Sequence, residues 1–173
     1  DYAFRSQTRQ TEDIVFPQKN KRVSVIGAGP AGLTCAYYLA RLGYEVDVYD
    51  SNPLAGGTLA YGIPEYRLPN DVLQHEIDLM RSSGFHIHLN TTVGKNIAFD
   101  KLRETSDAVF VATGTQLPQK INIAGEDLDG VLPGIDFLKS VKLYGSMDFT
   151  GKRVAVIGGG NTAVDSARTA LRL

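Results

Sequence analysis

Val23-Ser24-Val25-Ile26-Gly27-Ala28-Gly29-Pro30-Ala31-Gly32 is an apolar run that ends in glycines at the first, third and sixth places of a turn. Such a run, bounded by glycine, predicts a buried strand. The glycine spacing predicts that the strand turns straight into a helix. Gly27 lets the backbone turn where a side chain would resist. Gly29 leaves room for a pyrophosphate, and Gly32 lets the helix pack closely on the strand. Unpaired N–H groups and the positive end of the helix make the loop through Ala28, Pro30 and Ala31 an anion site.

Outward from this loop, the predicted helix carries Leu33, Tyr37, Leu39 and Leu42 and stops at Gly43. Glu45 to Asp50 alternates polar and apolar residues and predicts a second strand. Together these form a βαβ unit of about 30 residues. Asp50, with Ser51 beside it, ends the second strand roughly 20 residues beyond the fingerprint. A carboxylate there either accepts hydrogen bonds from ribose hydroxyls or is a solvated strand end. An acid that binds hydroxyls disfavours a 2′-phosphate, so this first site suits FAD or NAD better than NADP.

The motif recurs as Val154-Ala155-Val156-Ile157-Gly158-Gly159-Gly160-Asn161-Thr162-Ala163. Here Ala163 stands where the third glycine would be, and Asn161 and Thr162 can donate to a phosphate at a helix start. Two fingerprints predict two dinucleotides with electrons passing between them. We expect a lead-in segment over 1–21, a Rossmann-like FAD-binding domain over 22–114 and a crossover over 115–150. Residues 151–173 are expected to be the truncated start of a second Rossmann-like, NAD(P)H-binding domain. The chain opens on Asp1 and stops at Leu173, so a piece of a longer protein is expected. The NAD-versus-NADP choice is made at the end of the strand after the second fingerprint.

Between the fingerprints, residues 51–69 read as a Gly/Pro-rich loop and Asn70 as the cap of a helix bearing Leu73, Ile77 and Met80. Phe85–Leu89 predicts a strand, 99–104 a helical turn, Ala108–Ala112 a further buried strand, and Ile135–Tyr144 a helix. The 173 residues carry a net charge of -1 at 43% hydrophobic content, which gives no case for nucleic acid or an anionic membrane. No apolar stretch spans a bilayer and no signal peptide is visible, so a cytoplasmic address is expected. The single cysteine, Cys35, excludes an internal disulfide and a cysteine set for an iron–sulfur cluster, and reads as a small buried thiol. His86 and His88 share a strand face without further metal ligands, so a solvated face is expected. No metal site and no catalytic acid or base is assigned, because flavin performs hydride chemistry itself.

Gly27–Leu33, the run Gly56-Gly57-Thr58-Leu59-Ala60-Tyr61-Gly62-Ile63-Pro64-Glu65-Tyr66-Arg67-Leu68-Pro69, Asp107–Gly114 and Gly158–Ala163 together resemble the FAD domain of the glutamate synthase small-subunit family. That family includes the flavin domain of dihydropyrimidine dehydrogenase and the NADPH-binding subunit of electron-bifurcating transhydrogenases. The resemblance implies that Gly57, Thr58 and Leu59 run beside the FAD and that Arg67 contacts it. It implies that Val93 meets the adenosine end through its backbone and that Ala112, Thr113 and Gly114 cross close to the cofactor. It also implies that Gly158, Gly160, Asn161, Thr162 and Ala163 belong to a nicotinamide loop. Family members usually have Glu at the place of Asp50. They also carry an N-terminal region with iron–sulfur cysteines and a later return segment of the FAD domain, neither of which is found here. Without the resemblance, Arg67 is either a cation for a pyrophosphate or a surface arginine, and Gly56-Gly57 either lies along a cofactor or is a flexible turn.

The expected function is a flavoprotein oxidoreductase module. It passes electrons from NAD(P)H through FAD to iron–sulfur clusters, in an amidotransferase- or hydrogenase-like partner subunit or in further domains of the same polypeptide. The alternative is an FAD-binding structural or regulatory module without turnover. A thioredoxin-reductase-type disulfide reductase needs a CxxC pair, which the lone cysteine disfavours.

Overall fold

The computed structural model describes residues 16–145 and 147–173, so most of the lead-in, residues 1–15, lies outside the described residues. The first fingerprint begins as expected. Strand β1 is Arg22–Ile26, helix α1 is Pro30–Arg41, and strand β2 is Glu45–Tyr49. Pro30 suits the first helical position, where its missing N–H costs nothing. At the other end the Gly43 N–H returns to the Ala40 carbonyl. Then come a short helix α2 (Thr58–Tyr61), α3 (Asn70–Arg81), β3 (His86–His88), α4 (Phe99–Thr105), β4 (Ala108–Val111), α5 (Gly134–Tyr144) and α6 (Asn161–Ala170).

The four strands form one sheet in the order β3-β2-β1-β4, parallel throughout. A parallel sheet needs a crossover between successive strands, and α1 supplies the first. Val23, Val25, Val46 and Val48 point to one side of the sheet, where they are buried with Leu33 and Ala36 of α1, Ile77 of α3, and Phe85. The opposite face sets polar side chains beside Ile26, Val109 and Val111. Ser24 bonds Ser106 there at 2.7 Å, and Asp47 bonds His88 Nε2 at 2.6 Å, with the His88 ring stacked on Tyr49. The strand face of His86 and His88 is therefore partly engaged by its neighbours on the sheet, not only by solvent.

Five expectations change. Residues 51–69 are not all loop, because Thr58–Tyr61 closes a helical turn between Gly57 and Gly62. Asn70 does not cap α3. Pro69 occupies the cap position and the Asn70 side chain instead accepts a hydrogen bond from Lys142 of α5. Strand β4 is not buried, for Phe110 is 41% and Val111 59% exposed. It sits at the sheet edge with β1 on one side only. Val154–Ile157 forms no strand, and residues 151–160 are exposed throughout. A parallel strand draws its hydrogen bonds from a neighbour under 5 Å away. Among the described strands none lies beside this segment. Cys35 is half-buried rather than enclosed, and burial still pushes its thiol up from the ordinary value.

Candidate functional site

The C-terminal ends of β1, β2 and β4 converge on one cleft of about 130 Å³. Because β4 lies across β1 from β2, the chain reverses its direction of winding here. That is the place where open parallel sheets hold ligands. The walls come from Gly27, Gly29, Pro30 and Ala31 after β1, Asp50 after β2, and Ala112, Thr113 and Gly114 after β4. Gly57 and Thr58 close it from the side. Eight of the residues expected around the first dinucleotide and two from the 56–69 run are thus brought together. Ser51 is exposed next to Asp50, and Leu59 lies on α2.

The loop is packed backbone against backbone. A Cβ on Gly27, at φ +110°, would stand 2.2 Å from the Ala112 carbonyl oxygen. A Cβ on Gly57, at φ +56°, would stand 2.7 Å from Gly29 Cα. A Cβ on Gly29 would meet nothing nearer than 3.8 Å, so the surface it presents to the cleft is open. Helix α1 starts at Pro30, and the N–H groups of Ala31 and Gly32 lie in its first turn, where the helix itself supplies no acceptor. The arrangement leaves donors, a helix dipole and bare backbone facing one small cleft, which fits a pyrophosphate.

Asp50 is 6% exposed and does more than face a ribose. Its Oδ2 accepts the Ala28 N–H at 2.7 Å, tying the strand-end acid to the fingerprint itself. Its Oδ1 accepts the Asn52 N–H at 2.8 Å and the Asn52 side-chain amide at 2.9 Å. A carboxylate has about four acceptor positions, so one remains for a ligand. The Thr91 N–H reaches the Asp50 carbonyl at 2.8 Å, which brings the loop bearing Val93 to the same end. Val93 itself pairs with Ile97 in a single bridge.

Asn52 and Lys139 were not singled out by the sequence. Asn52 is buried, and Lys139 of α5 donates to its Oδ1 at 2.8 Å. Lys139 also sits 5.3 Å from the centre of the Tyr61 ring. It lines a second cleft of about 530 Å³ with Tyr61, Gly62, Ile135, Asp136 and Thr162. Thr58 and Gln116 line both clefts, so the two are lobes of one groove. No pattern marks a pair 87 positions apart.

Tyr61 is buried, with its hydroxyl accepting the Leu54 N–H at 2.7 Å and donating to the Leu54 carbonyl at 2.8 Å. Burial, reinforced by the charge of Asp50, pushes its pKa up to about 12, against the smaller opposing effect of the Leu54 contact. The unfolded chain ionises this group near 10. The stability it contributes is therefore complete below about pH 10 and is lost as pH rises through the folded value near 12. Equilibrium denaturation should show that alkaline decline in the wild type and a shallower one in Tyr61→Phe. A Phe variant with an unchanged slope would contradict this reading.

Of the second fingerprint, the structure brings only Thr162 to the groove. Gly158, Gly160, Asn161 and Ala163 line neither lobe, and Gly160 serves as the N-cap of α6. Arg67 also lines neither lobe. Its Nη1 meets Asp165 Oδ2 on α6 at 2.5 Å. Among the described residues no set of three metal-ligating side chains gathers. No helix among them is long and apolar enough to cross a membrane.

The family model for pyridine nucleotide-disulphide oxidoreductases matches residues 21–173. The chain belongs to that family. The chain is 47% identical over 163 residues to the NADP(+)-dependent formate dehydrogenase subunit beta of Moorella thermoacetica, covering 93% of the chain and 23% of that protein. It is 39% identical over 165 residues to the glutamate synthase [NADPH] small chain of Escherichia coli, covering 90% of the chain and 35% of that protein. The resemblance to the glutamate synthase small-subunit family is thereby borne out. Mycobacterium tuberculosis FprA, solved in complex with NADPH, superposes with a TM-score of 0.77 at 28% identity over 86% of the chain and 36% of FprA. This bears out the Rossmann-like α/β fold of the two-dinucleotide flavoprotein type. The chain spans about a quarter to a third of the curated relatives it matches. The family name mentions disulphides, yet the 173 residues hold one cysteine and therefore no internal redox pair.

Proposed function

We propose that this chain is the flavin-binding module of an NAD(P)H-dependent oxidoreductase, with FAD in the groove over the first fingerprint. The observation that carries the reading is the glycine cradle at the ends of β1, β2 and β4. It has bare backbone at Gly29 and Gly57 and a buried acid, Asp50, fastened to the Ala28 N–H. Gly27–Gly32 would hold the pyrophosphate by first-turn N–H groups and the helix dipole. The free acceptor position on Asp50 would take a ribose hydroxyl, with Ser51 and the Val93 loop at the adenosine end. Gly57, Thr58, Leu59 and Ala112–Gly114 would run along the cofactor toward the larger lobe. Flavin supplies the chemistry when bound, accepting hydride and releasing electrons singly. The residues around it bind, orient and exclude water.

The helix after the second fingerprint, with Gly158, Gly160, Asn161, Thr162 and Ala163 at its start, belongs in this reading to the nicotinamide cofactor. Thr162 at the groove supports it. Arg67 is assigned to the contact with Asp165 first and to FAD through its remaining N–H groups. The domain boundaries follow the same reading, with 22–114 serving FAD, 115–150 crossing over and 151 onward serving NAD(P)H. Electrons leave to iron–sulfur clusters in a partner subunit or in further domains, as fits relatives named as a beta subunit and a small chain. A cytoplasmic location goes with this role.

The test is direct. The purified full-length protein should show flavin absorbance and oxidise NADPH or NADH with ferricyanide as acceptor. Absence of flavin after reconstitution with FAD would overturn the reading. Flavin without pyridine-nucleotide oxidation would leave a binding module only.

A further inference from the structure

Helix α6 presents Thr162, Asp165, Ser166 and Thr169 along one face, spaced at the three- and four-residue steps of a helix. That face is turned inward from Asp165 onward, while Thr162 stays exposed. Asp165, Ser166 and Thr169 are buried, and Asp165 Oδ1, Ser166 Oγ and Thr169 Oγ1 have no hydrogen-bond partner in the structure. The start of α5 comes close to it, since a Cβ on Gly134 would stand 3.1 Å from both Ser166 Oγ and Thr162 Cγ2. A helix face of small polar side chains brings little apolar shape of its own to fix how the helix is rotated or how far it slides.

The directional contact across this seam comes from the 62–69 loop. Arg67 Nη1 grips Asp165 Oδ2 at 2.5 Å, and the Tyr66 hydroxyl donates to the Asp165 carbonyl at 3.4 Å. The guanidiniums of Arg168 and Arg172 lie 4.5 Å and 4.3 Å from the centre of the Tyr66 ring. Asp165 is 3% exposed, so its charge has Arg67 as its compensation. A buried ion pair adds little net stability, and in some proteins it serves to fix a single arrangement of the elements it joins.

We propose that Asp165 is a positioning residue for the nicotinamide cofactor. Through Arg67 it fixes the rotation of α6, so that Thr162, one turn earlier on the same face, stands at the groove. This rests on the function proposed above. Asp165 touches neither lobe of the groove and acts only through the helix.

Calorimetric titration of the full-length protein with NADP+ and with NAD+, alongside its flavin-to-protein ratio, tests the assignment. D165N should keep its flavin and raise the dissociation constant of the preferred dinucleotide on the order of tenfold, the cost of a small misplacement. R67M, altered at the more exposed partner, should raise the same dissociation constant to a similar extent in its FAD-loaded fraction even if D165N folds poorly, whatever flavin it loses through its own FAD contact. The double variant should be no worse than either single one. T169V, which changes the same buried face without touching the ion pair, should bind like wild type. A role confined to stability would lower the melting temperature of D165N and R67M while leaving the dissociation constant unchanged. That result overturns the inference and leaves the function standing, as does an additive double variant. A wild-type protein that binds neither dinucleotide overturns the function and the inference together.

Discussion

Gly32→Ala is expected to leave the protein without bound FAD and to destabilise it by about 3 kcal/mol or more, at the upper end of what overpacking costs. The added Cβ would lie 1.8 Å from the Gly27 carbonyl oxygen, 3.0 Å from the Gly27 carbonyl carbon and 3.2 Å from Val25 Cγ1. Two of those three atoms are backbone, so no side-chain rotation relieves the clash. Helix α1 must lift from β1, or the turn at Gly27 must open. Gly27 cannot open freely, because its N–H is held by the Tyr49 carbonyl at 2.7 Å and its own surface abuts Ala112. Either way the first-turn N–H groups move off the cleft. Gly84→Ala is the matched control. Its φ is +100° but nothing lies within 4 Å of the new Cβ, so it should lose about 1 kcal/mol from backbone strain and keep its flavin. Urea denaturation with the ratio of flavin to protein absorbance reads both effects. A Gly32→Ala protein with wild-type flavin content would show that the helix can move without disturbing the site.

The second large effect belongs to Asp50. Asp50→Ala strands the Ala28 N–H and both Asn52 donors in a region where Asn52 is only 8% exposed. A buried donor left unmade costs about 1–3 kcal/mol, so a loss on the order of 3 kcal/mol is expected, with FAD retention abolished. Asp50→Asn is the sharper variant. It keeps the shape and one acceptor oxygen but points an amide donor at an N–H on the other side. It should recover roughly half the stability while still failing to hold FAD tightly. Asp50→Glu keeps the charge, and the longer acid lifts the carboxylate away from Ala28. Its flavin affinity compared with wild type, measured by fluorescence titration, separates the two roles of this side chain. Wild-type affinity in Asp50→Asn would mean that the acid serves the loop alone.

Much of the site was legible because its signals are local. The turn at Gly27, the helix from Pro30 and the alternation of Glu45–Tyr49 each lie within a few residues, and backbone sterics and side-chain period dictate them. The acid at Asp50 was readable as a strand end, whereas its bond to the Ala28 N–H was not, since that depends on how two loops close on each other. Pairings across long separations left no trace, even where one partner, Arg67, was named for another contact. Lys139 on Asn52 and Arg67 on Asp165 are of this kind, being products of where α5 and α6 come to rest. The apolar run Val154–Ile157 misled for a related reason. Apolar period shows what a segment can bury, but a strand exists only beside another strand. The turn at Thr58–Tyr61 was masked by glycines on both flanks, which read as breaks and act here as its two ends.

The contact between Gly57 and Gly29 bears on whether this fingerprint can be moved as a part. The Gly56 N–H closes on the Ala28 carbonyl at 2.7 Å, and the two loops meet backbone to backbone at Gly57 and Gly29. A transplant of residues 22–50 into another parallel sheet would carry the motif and leave behind the wall that completes it. The Ala28 carbonyl would be unpaired and the floor of the cleft would lie open to water. A unit from β1 through α2 carries the loop contact but still needs the Ala112–Gly114 wall after β4, and a graft that ends at Asp50 carries less of the site again.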